Sequence, residues 1–393
     1  MTDGLVTSYI ELGLRLGRHV DGLVDSYYGP AEHAERVEAE DLREPSALLA
    51  DANGLLEELD SAGFEEQRAR WLRAQLVGLE TVARRLAGED VSFQEEVERC
   101  YGVRVEHTPE EVFEQVHRQL DDLLPGSGSL TERHQEWRER NVIEEREPLQ
   151  RVVDGLLVDL RDRTDALFGL PDGEGVEIEY VRNEPWSGYN YYLGGLRSRV
   201  AVNIDRPISP DFVAELVPHE TYPGHHTEHI WKEQVVVRDA GHAEESIMLA
   251  ATPQSLVSEG IAGLGPEILL GEDEEQVTQE HVAGSGVAYD AEISRAVKRA
   301  REPLGRVQNN VALMLHADGA SHEEARDYMV RWGLTSEKRA EAQLEFVSHP
   351  LWRAYVPTYV EGYYLCRDWV GGDPARFKRL LTEQLTPADL VVA

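Results

Sequence analysis

The chain is poor in cysteine, in basic residues and in long apolar runs, and each shortage removes a class of protein. Two cysteines in 393 residues, Cys100 and Cys366, exclude a disulfide framework and a cysteine-rich zinc finger. Basic residues number 39 against 74 acidic ones, a formal charge of −35. That surplus excludes a nucleic-acid binder, because no basic face is available to neutralise phosphates, and it disfavours anionic membrane surfaces. Only 4 of the 39 are lysine, which reads as codon bias or salt adaptation rather than chemistry. No stretch of 18 apolar residues occurs, so no membrane span is expected. The opening MTDGLVTSYIELGLRLG lacks the basic start and continuous apolar stretch of a signal peptide, and the expected compartment is the cytoplasm. At 41% hydrophobic content the chain is not disordered, and its length suits one large or two fused domains.

What is present is mostly helix. Leu5, Tyr9, Leu12, Leu16 and Val20 recur at helical spacing and predict a helix over 4–24. A periodic stretch over 46–86 predicts two helices broken near Gly63, and shorter helices are expected at 109–123, 131–145 and 147–168. Residues 125–129 and 171–175 carry the glycine and proline of loops. The acidic run Gly271–Glu275 reads as a solvated turn between helices. Character changes after Gly175. Residues 176–181 alternate apolar and polar, and 189–193 and 197–204 resemble two further strands joined at Gly194-Gly195. Helices return from Ser209. The expected fold is mostly α, with one small sheet at about 176–204. An N-terminal helical region, 1–170, packs as one body with a second region, 171–393.

The most unusual segment follows the sheet. Five of the 14 histidines, His219, His225, His226, His229 and His242, fall within 24 residues. Ser209 is a good N-cap, Pro210 fits the first helical position and Asp211 complements the helix dipole. Phe212, Val213, Leu216 and Val217 mark a buried face, and one heptad on from the first two come His219 and Glu220. An inward His-Glu pair is costly unless something pairs with it, and a metal with its water does so. The zinc-peptidase pattern His-Glu-x-x-His is absent, because its second histidine position holds Pro223. On an unbroken helix His226 lies about 10.5 Å along the axis from His219, too far for one ion with bonds near ~2.1 Å. The Pro223-Gly224 break resolves this. A two-residue bulge brings in His225 and a three-residue bulge His226, while His225 and His229 form a rival i, i+4 pair.

His219-Glu-Thr-Tyr-Pro-Gly-His-His226 resembles the His-Glu-x-x-Pro-Gly-His-His signature of the bacterial family known as domain of unknown function 885, regarded as a mostly helical, zincin-like group of zinc metallopeptidases. Its second element, Glu-Gly-Trp-Ala, is similar to Glu259-Gly-Ile-Ala262, with Ile261 in place of tryptophan. The resemblance covers roughly 176–370. It implies a zincin-like metallopeptidase architecture, with His219, one of His225 and His226, and Glu259 as zinc ligands, an open position for water, and Glu220 as general base.

An amide hydrolase also needs a donor for the oxyanion. Residues 355–364 are rich in tyrosine, and Tyr359 and Tyr363 share a helical face. His349 and Arg353 are further candidates for binding an anionic group. The strands at 188–192 and 197–203 are candidates for pairing with extended substrate or for closing one wall of a cleft. The expected function is zinc-dependent hydrolysis of an amide bond in a peptide or small amide. Another divalent transition metal suits the same ligand types. A non-peptide amide or ester substrate, or a structural metal closed by four protein ligands, are the alternatives.

Overall fold

The computed structural model describes residues 2–184, 186–205, 208–350 and 352–391. They are mostly helical, with two small sheets. Helix starts follow local chemistry: Ser92, Ser129, Ser321 and Ser336 each accept a hydrogen bond from the N–H three residues on. The stretch 46–86 resolves into helices Pro45–Leu59 and Glu66–Leu86, with Gly63 between them at φ +80°. The helix expected over 4–24 ends at Gly17, because the chain turns there to enter a strand. That expected over 131–145 ends at Glu139, followed by an extended Arg140 and by Asn141 in the left-handed region.

Strand β1, Val24–Tyr27, pairs antiparallel with a later strand, Ile247–Leu249, a sheet the sequence did not announce. Between them in the chain come β2 (Gly175–Val181), β3 (Gly188–Gly194) and β4 (Arg197–Asn203), in the order β2-β4-β3, which makes Ile247–Leu249 β5. β2 and β4 run parallel, and β3 is antiparallel to β4 with Tyr189 opposite Ala201.

The acidic run Gly271–Glu275 is a solvated turn between helices only over Gly271–Asp273, which are exposed; Glu274 and Glu275 open helix Glu274–Val282 and are buried against Lys298 and Arg295. No helix among the described residues is long and apolar enough to cross a membrane.

The largest apolar core joins distant parts of the chain: Leu5, Tyr9, Trp71 and Leu76 pack with Ile247, Leu249, Leu256, Val311 and Val356. A second core seats helix Pro210–Glu220, whose Val213 and Val217 are buried among residues such as Leu156 and Leu160 of helix Arg146–Phe168. Burying each valine contributes about 2 kcal/mol. Helices Pro253–Leu270 and Val356–Val370 approach closely where Gly260 faces Gly362; a Cβ on Gly260 would come within 2.4 Å of the Gly362 carbonyl oxygen. That crossing lays the second helix and its leading turn beside Glu259.

Candidate functional site

Helix Pro210–Glu220 is capped by Ser209, whose hydroxyl accepts from the Phe212 N–H at 3.3 Å. It carries His219 and Glu220 in its last turn. The chain then folds back on itself: the Gly224 N–H donates to the Pro218 carbonyl at 3.1 Å, and the next helix starts at His225. Gly224 is pressed so tightly here that a Cβ would lie 1.9 Å from the His219 carbonyl oxygen. Only glycine permits that approach. From the other side, the Asn190 amide on β3 donates to the Glu220 carbonyl at 2.6 Å.

This loop brings His225, not His226, beside His219. The two rings meet edge to face with centroids 4.7 Å apart. Glu259, from helix Pro253–Leu270, completes the group: ligand-type atoms of His219, His225 and Glu259 all lie within 4.8 Å of one another. Glu259 Oε2 is 3.4 Å from His219 Nε2 and 3.9 Å from His225 Nε2. It is buried and meets only these two rings among the described residues, whereas Oε1 accepts from the Tyr355 hydroxyl at 2.6 Å. The His219 side chain is 25% exposed, so the cluster is open to solvent on that side.

The back of His225 is held. The Ser258 hydroxyl donates to Glu228 at 2.5 Å, which leaves its oxygen to accept from His225 Nδ1–H at 3.1 Å. The Nε2 lone pair of His225 therefore faces Glu259, the arrangement in which outer partners orient a metal-ligating imidazole. Burial and the neighbouring His219 push His225 down to about 4, keeping it neutral. Burial also lowers His219, but Glu259 and Glu220 outweigh it and leave that ring raised.

Glu220 is 7% exposed, and its carboxylate makes no hydrogen bond or ion pair among the described residues. Burial raises it to about 7, with help from Glu259 and Asp25 and against the pull of His219.

The remaining sequence candidates separate clearly. His226 is fully buried and turned away: Nδ1 meets the Ser198 hydroxyl at 2.8 Å and Nε2 meets Glu174 at 3.0 Å. Glu174 also accepts from Tyr222 at 2.5 Å and Arg161 at 2.7 Å. His229 stacks on Tyr192 at 4.8 Å and lies outside the cluster. Tyr359 packs edge-on against Tyr355 at 5.5 Å with 43% of its surface exposed. Burial and the charges of Glu259 and Glu220 raise its pKa. Tyr363 stands two turns beyond Tyr355, about 12 Å along the helix, and donates instead to Glu267 at 3.0 Å. Arg353 is committed to Glu96 at 2.6 Å. Sequence reasoning did not single out Asp25, Tyr189, Ser258, Glu228 or Tyr355. Tyr355 and Tyr189 stood in stretches already noted, 355–364 and 188–192.

No family model matches this sequence, and no curated protein matches it. The membership implied by the His-Glu-x-x-Pro-Gly-His-His resemblance is corrected accordingly: an eight-residue likeness does not extend to a family-wide one. Among solved structures, a chain described as a putative lipoprotein from Colwellia psychrerythraea superposes with a TM-score of 0.52 at 16% identity, over 91% of this chain and 68% of that one. A putative lipoprotein of unknown function from Shewanella oneidensis aligns at a TM-score of 0.44 and 11% identity, over 91% and 75%. The first likeness shows a shared fold. The cytoplasmic expectation is corrected by the same finding, since a solved chain that shares this fold is described as a putative lipoprotein.

Proposed function

We propose that this chain is a metal-dependent hydrolase of amide bonds, acting on a peptide or small amide. One observation carries the reading: a buried carboxylate oxygen, Glu259 Oε2, is met among the described residues only by two imidazole nitrogens, at 3.4 and 3.9 Å, with solvent on one side. Two histidines and one carboxylate converging on one space form a donor set that suits zinc. His219, His225 and Glu259 would hold the ion. When bound, it supplies Lewis-acid polarisation and an acidified water.

The chain's own groups then have defined tasks. Glu220, adjacent to His219 and free of partners, holds and returns a proton as general base and acid. Its value of about 7 suits that exchange at neutral pH, and a neighbouring cation would draw it lower. Tyr355 donates to Glu259 Oε1, which fixes the carboxylate so that Oε2 faces the histidines. Tyr359, packed against Tyr355 and with its hydroxyl kept protonated, is the proposed donor to a developing oxyanion. A zincin-like reading of the architecture belongs to this proposal: a His-Glu pair on one helix, a second histidine after a break, and a glutamate from a following helix.

The test is Glu220→Gln in the zinc-reconstituted protein, assayed with a peptide pool and with small amide and ester substrates. The expected outcome is retained zinc with turnover reduced about 10²–10⁴-fold, the range of a lost general base. Full turnover in that variant sinks the mechanism.

A further inference from the structure

A cavity of about 90 Å³ lies at the start of helix Pro210–Glu220, where Ser209, Asp211 and Phe212 line it. His219 and Glu220 stand at the other end of that helix, about 15 Å along its axis. None of His219, His225 and Glu259 lines the cavity. In a chain of formal charge −35, four cations nevertheless gather round this one space. They are Arg138 from helix Leu130–Glu139, Lys298 and Arg301 from helix Ala291–Arg301, and Arg339 from helix Glu337–Ser348. Arg138 is exposed, so the space is reached from solvent.

Three carboxylates line the same space, and each already has a cation: Asp211 meets Arg140 at 3.3 Å, Glu275 meets Arg295 at 3.4 Å, and Glu215 meets Arg301. Lys298 is paired with Glu274 at 2.5 Å and Arg339 with Glu139 at 3.1 Å. Arg138 is left over. Among the described residues its guanidinium has no hydrogen bond and no ion pair. Burial, and after it the charge of Arg138, lower Arg301 to about 10, the mark of guanidiniums crowded together. The lining also holds a neutral acceptor. His134 is 3% exposed, and its Nδ1–H donates to the Leu334 carbonyl at 3.1 Å. Burial lowers this ring to about 4, so it stays neutral and Nε2 keeps a lone pair. That Nε2 is buried without a partner. An unpaired guanidinium and an orphaned acceptor on one cavity are satisfied together by an oxyanion that carries a hydroxyl. Set against a water's share of about 30 Å³, the space suits one phosphate-sized group rather than a nucleotide.

We propose that this cavity binds inorganic phosphate, with Arg138, Arg301 and Arg339 around the oxyanion and His134 Nε2 accepting from its hydroxyl. Arginine suits the role because its planar donors match phosphate oxygens in pairs. The hydroxyl selects the ion. Inorganic phosphate keeps a proton at neutral pH, a phosphomonoester with its second pKa near ~6 has largely lost its own, and sulfate has none to give. The assignment stands apart from the hydrolase reading, since the two sites share no residue.

The experiment is calorimetric titration of the full-length protein at neutral pH, cleared of metal so that no bound ion captures the anion. The probes are inorganic phosphate, methyl phosphate and sulfate. Phosphate is expected to bind with a dissociation constant of about 1 mM or below, and about 10-fold tighter than either of the others. Arg138→Gln should weaken phosphate about 10- to 100-fold, the worth of a charge-assisted hydrogen bond. Arg138 has no partner to strand, so that variant should fold as the wild type does. His134→Phe should bring phosphate down to the affinity of sulfate. Because His134 also holds the Leu334 carbonyl, its fold is checked by circular dichroism, and the sulfate and Arg138→Gln results decide the matter if it does not fold. No phosphate binding at about 10 mM, sulfate or methyl phosphate binding as tightly as phosphate, or an affinity unchanged in Arg138→Gln overturns the assignment.

Discussion

His225 and His226 are adjacent in the chain and chemically identical, yet the fold treats them in opposite ways. Both ring nitrogens of His226 are engaged, by Ser198 and by a glutamate that Tyr222 and Arg161 also hold. Every polar atom there has a partner, and the ring is sealed from water. His225 is held by one nitrogen only, and its other faces a carboxylate oxygen that among the described residues is met otherwise only by His219. One cluster is complete as protein; the other is the set proposed to hold a cation. Satisfaction of hydrogen bonds, more than residue type, separates the histidine that holds the loop from the one that serves the site.

Three substitutions press on this contrast. Replacing His225 by alanine removes one of the three proposed ligands. Zinc affinity, read by chelator competition, should fall at least about 100-fold, the upper end of what an outer-shell partner costs. The rise in melting temperature that excess zinc gives the wild type should also vanish. Replacing His226 by alanine should do the reverse: it strips a partner from a buried carboxylate and lowers stability by about 3 kcal/mol in denaturant unfolding, while the three ligands remain. If His226→Ala abolishes zinc binding in protein that is still folded, the contrast is lost.

The smallest effect concerns acid. Burial alone would raise Glu174, but hydrogen bonds from His226, Tyr222 and Arg161 hold it down at about 2. A carboxylate depressed in the folded state contributes stability that is fully present above its ordinary 4.5 and is lost as pH falls from there towards 2. Tyr222→Phe removes one of those hydrogen bonds. It should cost about 1.5 kcal/mol at neutral pH and make the acid-induced loss smaller, because the folded value moves back towards 4.5. Melting curves from pH 7 to 2 measure both.

The helices were legible because local chemistry sets them: Ser209 as a cap, Gly63 as a break and the 176–204 strands by alternation all lie within a few residues of what they determine. β1 and β5 were not, since strands of four and three residues separated by some 220 positions carry no periodic signal of their own. Asp25 was hidden with them. The sequence left the second histidine open among His225, His226 and His229 and could not choose. The choice depends on how Gly224 packs against the His219 carbonyl, a contact that no spacing rule encodes.

The most direct test of the central claim is an anomalous-diffraction structure of the zinc-reconstituted protein. The account predicts one ion within about 2.1 Å of His219 Nε2, His225 Nε2 and a Glu259 oxygen, with a fourth position open to solvent. An ion held by His226 or His229, or no ion at stoichiometric zinc, would contradict it.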